Sequence, residues 1–385
     1  MADLSATTQR HLFIDLFRTA VILLMLEGHV IRAFLSPYLQ QMSLFQHHEF
    51  FHGLSAPAFL FGAGMTFVIS TRKRWEEYHH WGKPLARRIG RFFLILSLGL
   101  MLHLPFFSLR KIVTYGTTAD YLQLFQSDVL TCIGIGLLSL HAILFFFKNE
   151  KHFYGLVTAT IGAVCLLTPF VWDIDMLGYL PLSLAQLMNS SHGSPFPLFP
   201  YVGFLYAGVI VSWEFLVAVH HGRQKLFMLK LAVIGASLIA AGMIFDALPI
   251  QLYPKYDFWY TSPNYFFIRL GVLMLTATGF WFISTKIHQP NDILTVLGRE
   301  SLFVYVLHLI FLYGTAINDK INLRSFISAN VGVGDVVGIF AAFTVAMFLL
   351  TLLWNYLKRT QFMLYRIVQF TVSYLFLYYF VTREF

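Results

Sequence analysis

The sequence predicts an all-α, polytopic integral membrane bundle of about eleven transmembrane helices with a cytoplasmic N-terminus. Three observations carry this expectation. Of the 385 residues, 57% are hydrophobic and only 12% are charged, about half the charged share of a soluble domain. The 41 Phe and 19 Tyr present more aromatic surface than a water-facing protein can hide. The apolar residues also fall into stretches of about 20, the length needed to cross a hydrocarbon core about 30 Å thick.

In chain order, the first span, 12–36, is the most charged, with Asp15, Arg18, Glu27, His29 and Arg32. The second, 50–71, is approached through His47, His48, Glu49 and His52. A basic loop containing Arg72, Lys73 and Arg74 and then Lys83, Arg87, Arg88 and Arg91 leads into 88–108. Span 126–147 opens on Asp128, an acid that a helix N-terminus favours through its dipole. Span 153–172 precedes the longest polar interruption, Asp173 to Pro200, whose Ser190, Ser191, Gly193 and Pro195 mark turns. Spans 197–219 and 228–249 follow, then 265–285 with Asn264 as a candidate cap, and 293–316 with Arg299, Glu300 and His308. The last two, 335–357 and 364–381, close the chain, the final one being the shortest. Arg10 and His11 lead into the first span with no cleavage pattern after it, so that span is expected to remain in the protein.

With the N-terminus inside, 17 of the 27 basic residues fall on the cytoplasmic side, and only Arg110, Lys111, Lys255, Lys320, Arg324 and Arg383 fall outside. The net charge of +8 is thus a topology signal; Lys and Arg form no stripe along one element, and no nucleic-acid partner is expected. No repeat or linker divides the chain, which is read as one membrane-embedded domain over 1–385. Cys132 and Cys165 lie within apolar runs and say nothing of the redox compartment.

Charge inside a membrane is costly, so each intramembrane ionisable group is a candidate for function. Arg18 and His29 are eleven residues apart, three helical turns plus about 20°, so they share a face with an axial offset of about 16.5 Å. The short connection to the second span brings His47, His48, Glu49 and His52 to the level of His29. Clustered histidines admit three chemistries. Metal binding is one, since His48 and His52 have i,i+4 ligand spacing, but the sequence specifies no third ligand and no metal is expected. Haem ligation by His29, His103 and His308 is another, without the repeated spacing of a multi-haem bundle. General acid–base chemistry at the outer end of a membrane path is the third and preferred reading, because imidazole titrates near neutrality. The basic loop reads as an inside signal in contact with anionic lipid and also as a phosphate receptor, since Arg87, Arg88 and Arg91 fall within about one turn.

These residues carry a resemblance. Asp15-Leu16-Phe17-Arg18 followed by His29 resembles the Arg-x10-His signature of membrane acyltransferases, and the fuller pattern resembles the heparan-alpha-glucosaminide N-acetyltransferase catalytic domain and its bacterial relatives. Further pieces similar to the bacterial branch are His52 to Gly64, Ser127 to Gly134, Phe199 to Gly203 and Gly298 to His308. The resemblance runs from about residue 10 to about 315, leaving the helices over 335–381 as additions. It implies transfer of an acetyl group from cytoplasmic acetyl-CoA through the bilayer to an amine or hydroxyl of a sugar or envelope glycan, in a multi-pass protein of the bacterial inner membrane. It also implies a catalytic His at the position aligning with His48, and an Asn in the lysosomal enzymes where this chain has His29.

Acetyl-CoA is a phosphate-rich head on a long arm, which calls for a basic inner mouth, an Arg further in and a base at the far end of the same face. The candidates are therefore Arg18, Arg72, Arg74, Arg87, Arg88 and Arg91 for the cofactor, and His29 and His48 for catalysis, with Glu27 or Asp128 as the orienting carboxylate. An exporter of a small acidic or acylated molecule is the alternative from another class, although the matching broken halves usual in transporters are not evident. Homo-oligomerisation is left open.

Overall fold

The computed structural model describes residues 11–249, 253, 257–287 and 292–384; Arg10 and Lys255, both used in the orientation argument, lie outside them. The described residues are helical throughout, apart from turns and one isolated bridge between Leu35 and Val331. The long elements are α1 (Leu12–Phe34), α2 (Ser43–His52), α3 (Ser55–Arg72), α4 (Lys83–Leu102), α5 (Val129–Phe146), α6 (Glu150–Asp173) and α7 (Leu198–His220). They continue with α8 (Gln224–Asp246), α9 (Pro263–Ser284), α10 (Asp292–Arg299), α11 (Ser301–Leu312), α12 (Val333–Thr360) and α13 (Phe362–Thr382).

Eight segments among the described residues are long and apolar enough to cross a membrane, with α2 and α3 counted together, and nine if α10 and α11 form one span bent by 67°. The expected eleven differ from this by α1 and α4. Both are long enough at 23 and 20 residues, but Asp15, Arg18, Glu27 and Arg32 interrupt the first, and Lys83, Arg87, Arg88 and Arg91 the second. The chain is a polytopic helical membrane protein in which two full-length helices carry the charge.

Helix starts follow local chemistry. Asp128 Oδ1 accepts the Thr131 N–H at 2.7 Å and caps α5, and Asn149 does the same for α6 through Lys151. At α9 the cap is Ser262, whose hydroxyl accepts from Asn264 and Tyr265 while Pro263 takes the first turn; the expected cap, Asn264, is already inside the helix.

Two compact units emerge from the packing. The first comprises the described chain up to Phe17, Ala56–Gly99 and Gln126–His288. Within it α3 crosses α7 at glycines: a Cβ on Gly64 would strike the Leu205 carbonyl oxygen, and one on Gly208 the Phe61 carbonyl oxygen. α8 and α9 pair in the same way through Gly235 and Gly271. The second unit comprises Arg18–Ser55, Leu100–Phe125 and Gln289–Phe385. Here the bend between α10 and α11 is held from α12, where Lys358 Nζ lies 2.8 Å from Glu300 Oε1 and Arg359 Nη1 lies 2.7 Å from Asp292 Oδ2. Asp292 also receives Arg299 at 2.8 Å, and Phe303 stacks on Trp354 at 4.7 Å. This unit contains a cavity of about 630 Å³.

Candidate active site

The second unit holds the candidate histidines His29, His48, His52 and His308. α2 is a separate ten-residue helix that ends at His52, and the chain turns at Gly53 before α3 begins. His48 and His52 therefore project from one face of a short helix toward α1. His48 Nε2 lies 2.8 Å from Glu27 Oε1, and His52 Nδ1 lies 3.3 Å from Glu27 Oε2. The two imidazoles meet edge to face at 4.2 Å. This close approach depends on Gly28, because a Cβ there would overlap the His52 ring. Next to the pair, Arg32 of α1 makes a two-toothed ion pair with Glu49 of α2, with Nε to Oε1 at 3.2 Å.

His29 faces another part of the same unit. Its Nδ1 is 3.4 Å from the Tyr313 hydroxyl, which donates to the His29 carbonyl at 3.0 Å. The His308 ring packs edge-on against it at 5.0 Å, and His308 Nδ1 is itself 3.0 Å from the Val304 carbonyl. Eleven residues earlier on α1, Arg18 Nη2 donates to Ser301 Oγ at 2.6 Å, and the Gly298 N–H reaches Thr19 Oγ1 at 3.2 Å. Arg18 and His29 thus share the face of α1 that meets Ser301–Tyr313, as their spacing requires. Two motif segments nearly 300 residues apart in sequence, around Arg18 and around Ser301, are in direct contact.

The remaining candidates belong to the first unit. Asp128 is buried and caps α5, so within the second unit it is Glu27 that provides the carboxylate on His48. Arg88, grouped with Arg87 and Arg91 by spacing, is buried. Its guanidinium lies 4.7 Å from the centre of Phe67 and 4.6 Å from that of Tyr78, and donates to Thr71 Oγ1 at 2.6 Å. Arg74, Arg87 and Arg91 are exposed. Arg72, half-buried at the end of α3, keeps Nε and Nη1 out of water with no hydrogen-bond partner. Arg88→Ala should accordingly destabilise the protein by about 2–3 kcal/mol through lost cation–π and hydrogen-bonding contacts. Arg87→Ala and Arg91→Ala should leave the melting temperature in detergent unchanged, and equal losses for all three would contradict the distinction.

Sequence reasoning missed Tyr313 and Gly28. Tyr313 lies 284 positions from its partner, with no local signal. Gly28 could have been suspected from its place between Glu27 and His29 on a helix that must admit an imidazole.

The sequence profile of the heparan-alpha-glucosaminide N-acetyltransferase catalytic domain matches residues 10–243, more than half of the chain. No curated protein matches the chain. The matched stretch contains Arg18, Glu27, His29, His48 and His52, whereas Ser301, His308 and Tyr313 lie beyond it. The chain belongs to the heparan-alpha-glucosaminide N-acetyltransferase catalytic-domain family and is a multi-pass membrane acetyltransferase.

Proposed function

We propose that this protein transfers an acetyl group from cytoplasmic acetyl-CoA across the bacterial inner membrane to an amine or hydroxyl of a sugar or envelope glycan on the outer side. The Glu27–His48 pair carries this reading, since a carboxylate on one imidazole nitrogen fixes the tautomer and makes the other nitrogen the stronger base. With the Nε2 proton directed at Glu27, the His48 Nδ1 lone pair removes the proton from the acceptor's N–H or O–H. The freed nucleophile bonds to the thioester carbonyl carbon. Collapse of the tetrahedral adduct breaks the C–S bond, and the CoA thiolate departs with the electron pair. His48 then returns its proton to solvent.

Arg72, Arg74, Arg87 and Arg91 are assigned to the donor's phosphates, and Arg18 to the donor arm. His29, steadied by Tyr313 and His308, is the supporting histidine. The 630 Å³ cavity is assigned to the part of the acceptor remote from its reacting group, because Tyr313 both lines it and touches the supporting His29, and because Lys111, Gln123, Thr315 and Asp319 give its wall the polar groups a sugar needs. The test is incubation of purified protein with acetyl-labelled acetyl-CoA and a panel of amino sugars and envelope glycan fragments. Label on a sugar amine or hydroxyl is expected; acetyl release that never depends on an added acceptor would contradict the proposal.

A further inference from the structure

We infer that Glu27, His48 and His52 also form a binding site for a zinc-like divalent metal, and that the metal competes with acetyl transfer; the competition rests on His48 being the base. The sequence provided two imidazoles at i,i+4 and no third donor; α1 now brings a carboxylate onto both. One ligand atom from each residue can be chosen so that all lie within 4.8 Å of one another. Tetrahedral ligands about 2.0–2.1 Å from zinc lie about 3.4 Å apart, so small side-chain rotations convert the observed spacing into a coordination sphere.

Unsatisfied polar atoms point the same way. The His52 side chain is only 2% exposed, yet neither of its ring nitrogens has an aligned hydrogen bond, and nor does Glu27 Oε2. A buried imidazole and a carboxylate oxygen 3.3 Å apart without a hydrogen bond between them are a costly arrangement unless something else satisfies both. A cation between them does. The His48 side chain is 35% exposed and that of Glu27 21%, which gives the ion a route from water and leaves room for a water ligand. Two imidazoles and a carboxylate suit zinc, cobalt or copper; magnesium and calcium prefer all-oxygen sites.

The chemical consequence follows from the imidazole. A neutral ring has one in-plane nitrogen lone pair, so a metal on His48 Nε2 takes that pair from the tautomer whose proton is on Nδ1. With the metal on Nε2 and the proton on Nδ1, no lone pair remains to deprotonate an acceptor.

The test uses chelator-treated full-length protein in detergent, titrated with Co²⁺ and followed by its visible absorption, with Zn²⁺ binding measured by calorimetry. A stoichiometric Co²⁺ band displaced by Zn²⁺ is expected, together with zinc inhibition of transfer at concentrations matching the zinc Kd. His52→Gln and, independently, Glu27→Gln should weaken zinc binding at least about tenfold while the protein remains monodisperse. His47→Gln should not, since the ligand atoms that converge are those of Glu27, His48 and His52 and His47 is not among them. Failure of the wild-type protein to bind either metal, or equal loss in His47→Gln, would overturn the site and leave the acetyltransferase reading intact. Zinc bound at these residues without inhibition would overturn the competition, and with it His48 as the base.

Discussion

His48→Ala is expected to lower acetyl transfer by about 10² to 10⁴ while acetyl-CoA affinity stays within a few-fold of wild type. The size reflects removal of the general base, and the selectivity follows from the separate assignment of the donor's phosphates to arginines. Glu27→Gln should also lower transfer, by up to about 10⁴, because an amide NH2 turned to His48 Nε2 favours the wrong tautomer and the neutral side chain no longer balances an imidazolium. Single-turnover rates with labelled donor, alongside donor binding by calorimetry, separate the two effects. A wild-type rate in His48→Ala would remove the catalytic assignment and leave His29 as the remaining candidate base.

The largest expected effect on folding lies in the first unit. Gly208→Leu places a side chain where even a Cβ overlaps the Phe61 carbonyl oxygen, which belongs to the backbone of α3 and cannot rotate away as a side chain would. Helices that touch backbone to backbone must then separate along their length. The cost should reach about 3 kcal/mol, the upper part of the usual overpacking range. Monodisperse yield and melting temperature in detergent should both fall. Gly279→Leu on α9, where a Cβ meets nothing within 4 Å, is the matched control and should be neutral. Equal behaviour of the two variants would contradict the glycine crossing.

Most helix positions were legible because length and hydropathy are local properties. The sequence segments 153–172 and 335–357 lie within helices that extend only a few residues further, and 197–219 matches Leu198–His220 to within one residue at each end. The shared face of Arg18 and His29 was equally legible, being helical arithmetic. What the sequence could not show depends on distant partners. The bend between α10 and α11 is held by Lys358 and Arg359. His29 finds Tyr313 across almost the whole chain. The inward turn of Arg88, between exposed Arg87 and Arg91, depends on Phe67 and Tyr78, whose ring positions no run of arginines reveals. Glu27 is legible as an acid beside a histidine, but its reach to two imidazoles depends on Gly28 admitting the His52 ring.

In the proposed reaction an acetyl group passes through the membrane without its carrier. A charged CoA head faces a high cost in an apolar core, so donor and acceptor can remain on opposite sides while only the acetyl group is exchanged. The direct measurement uses sealed vesicles with the protein in one orientation, acetyl-CoA on the cytoplasmic face labelled differently on acetyl and adenine, and an amino sugar or envelope glycan on the other face. Acetyl label should appear on the outer acceptor, only when acceptor is present, while adenine label stays on the cytoplasmic side. Adenine label crossing in amounts equal to the acetyl label would contradict transfer without the carrier and identify export of the whole molecule instead.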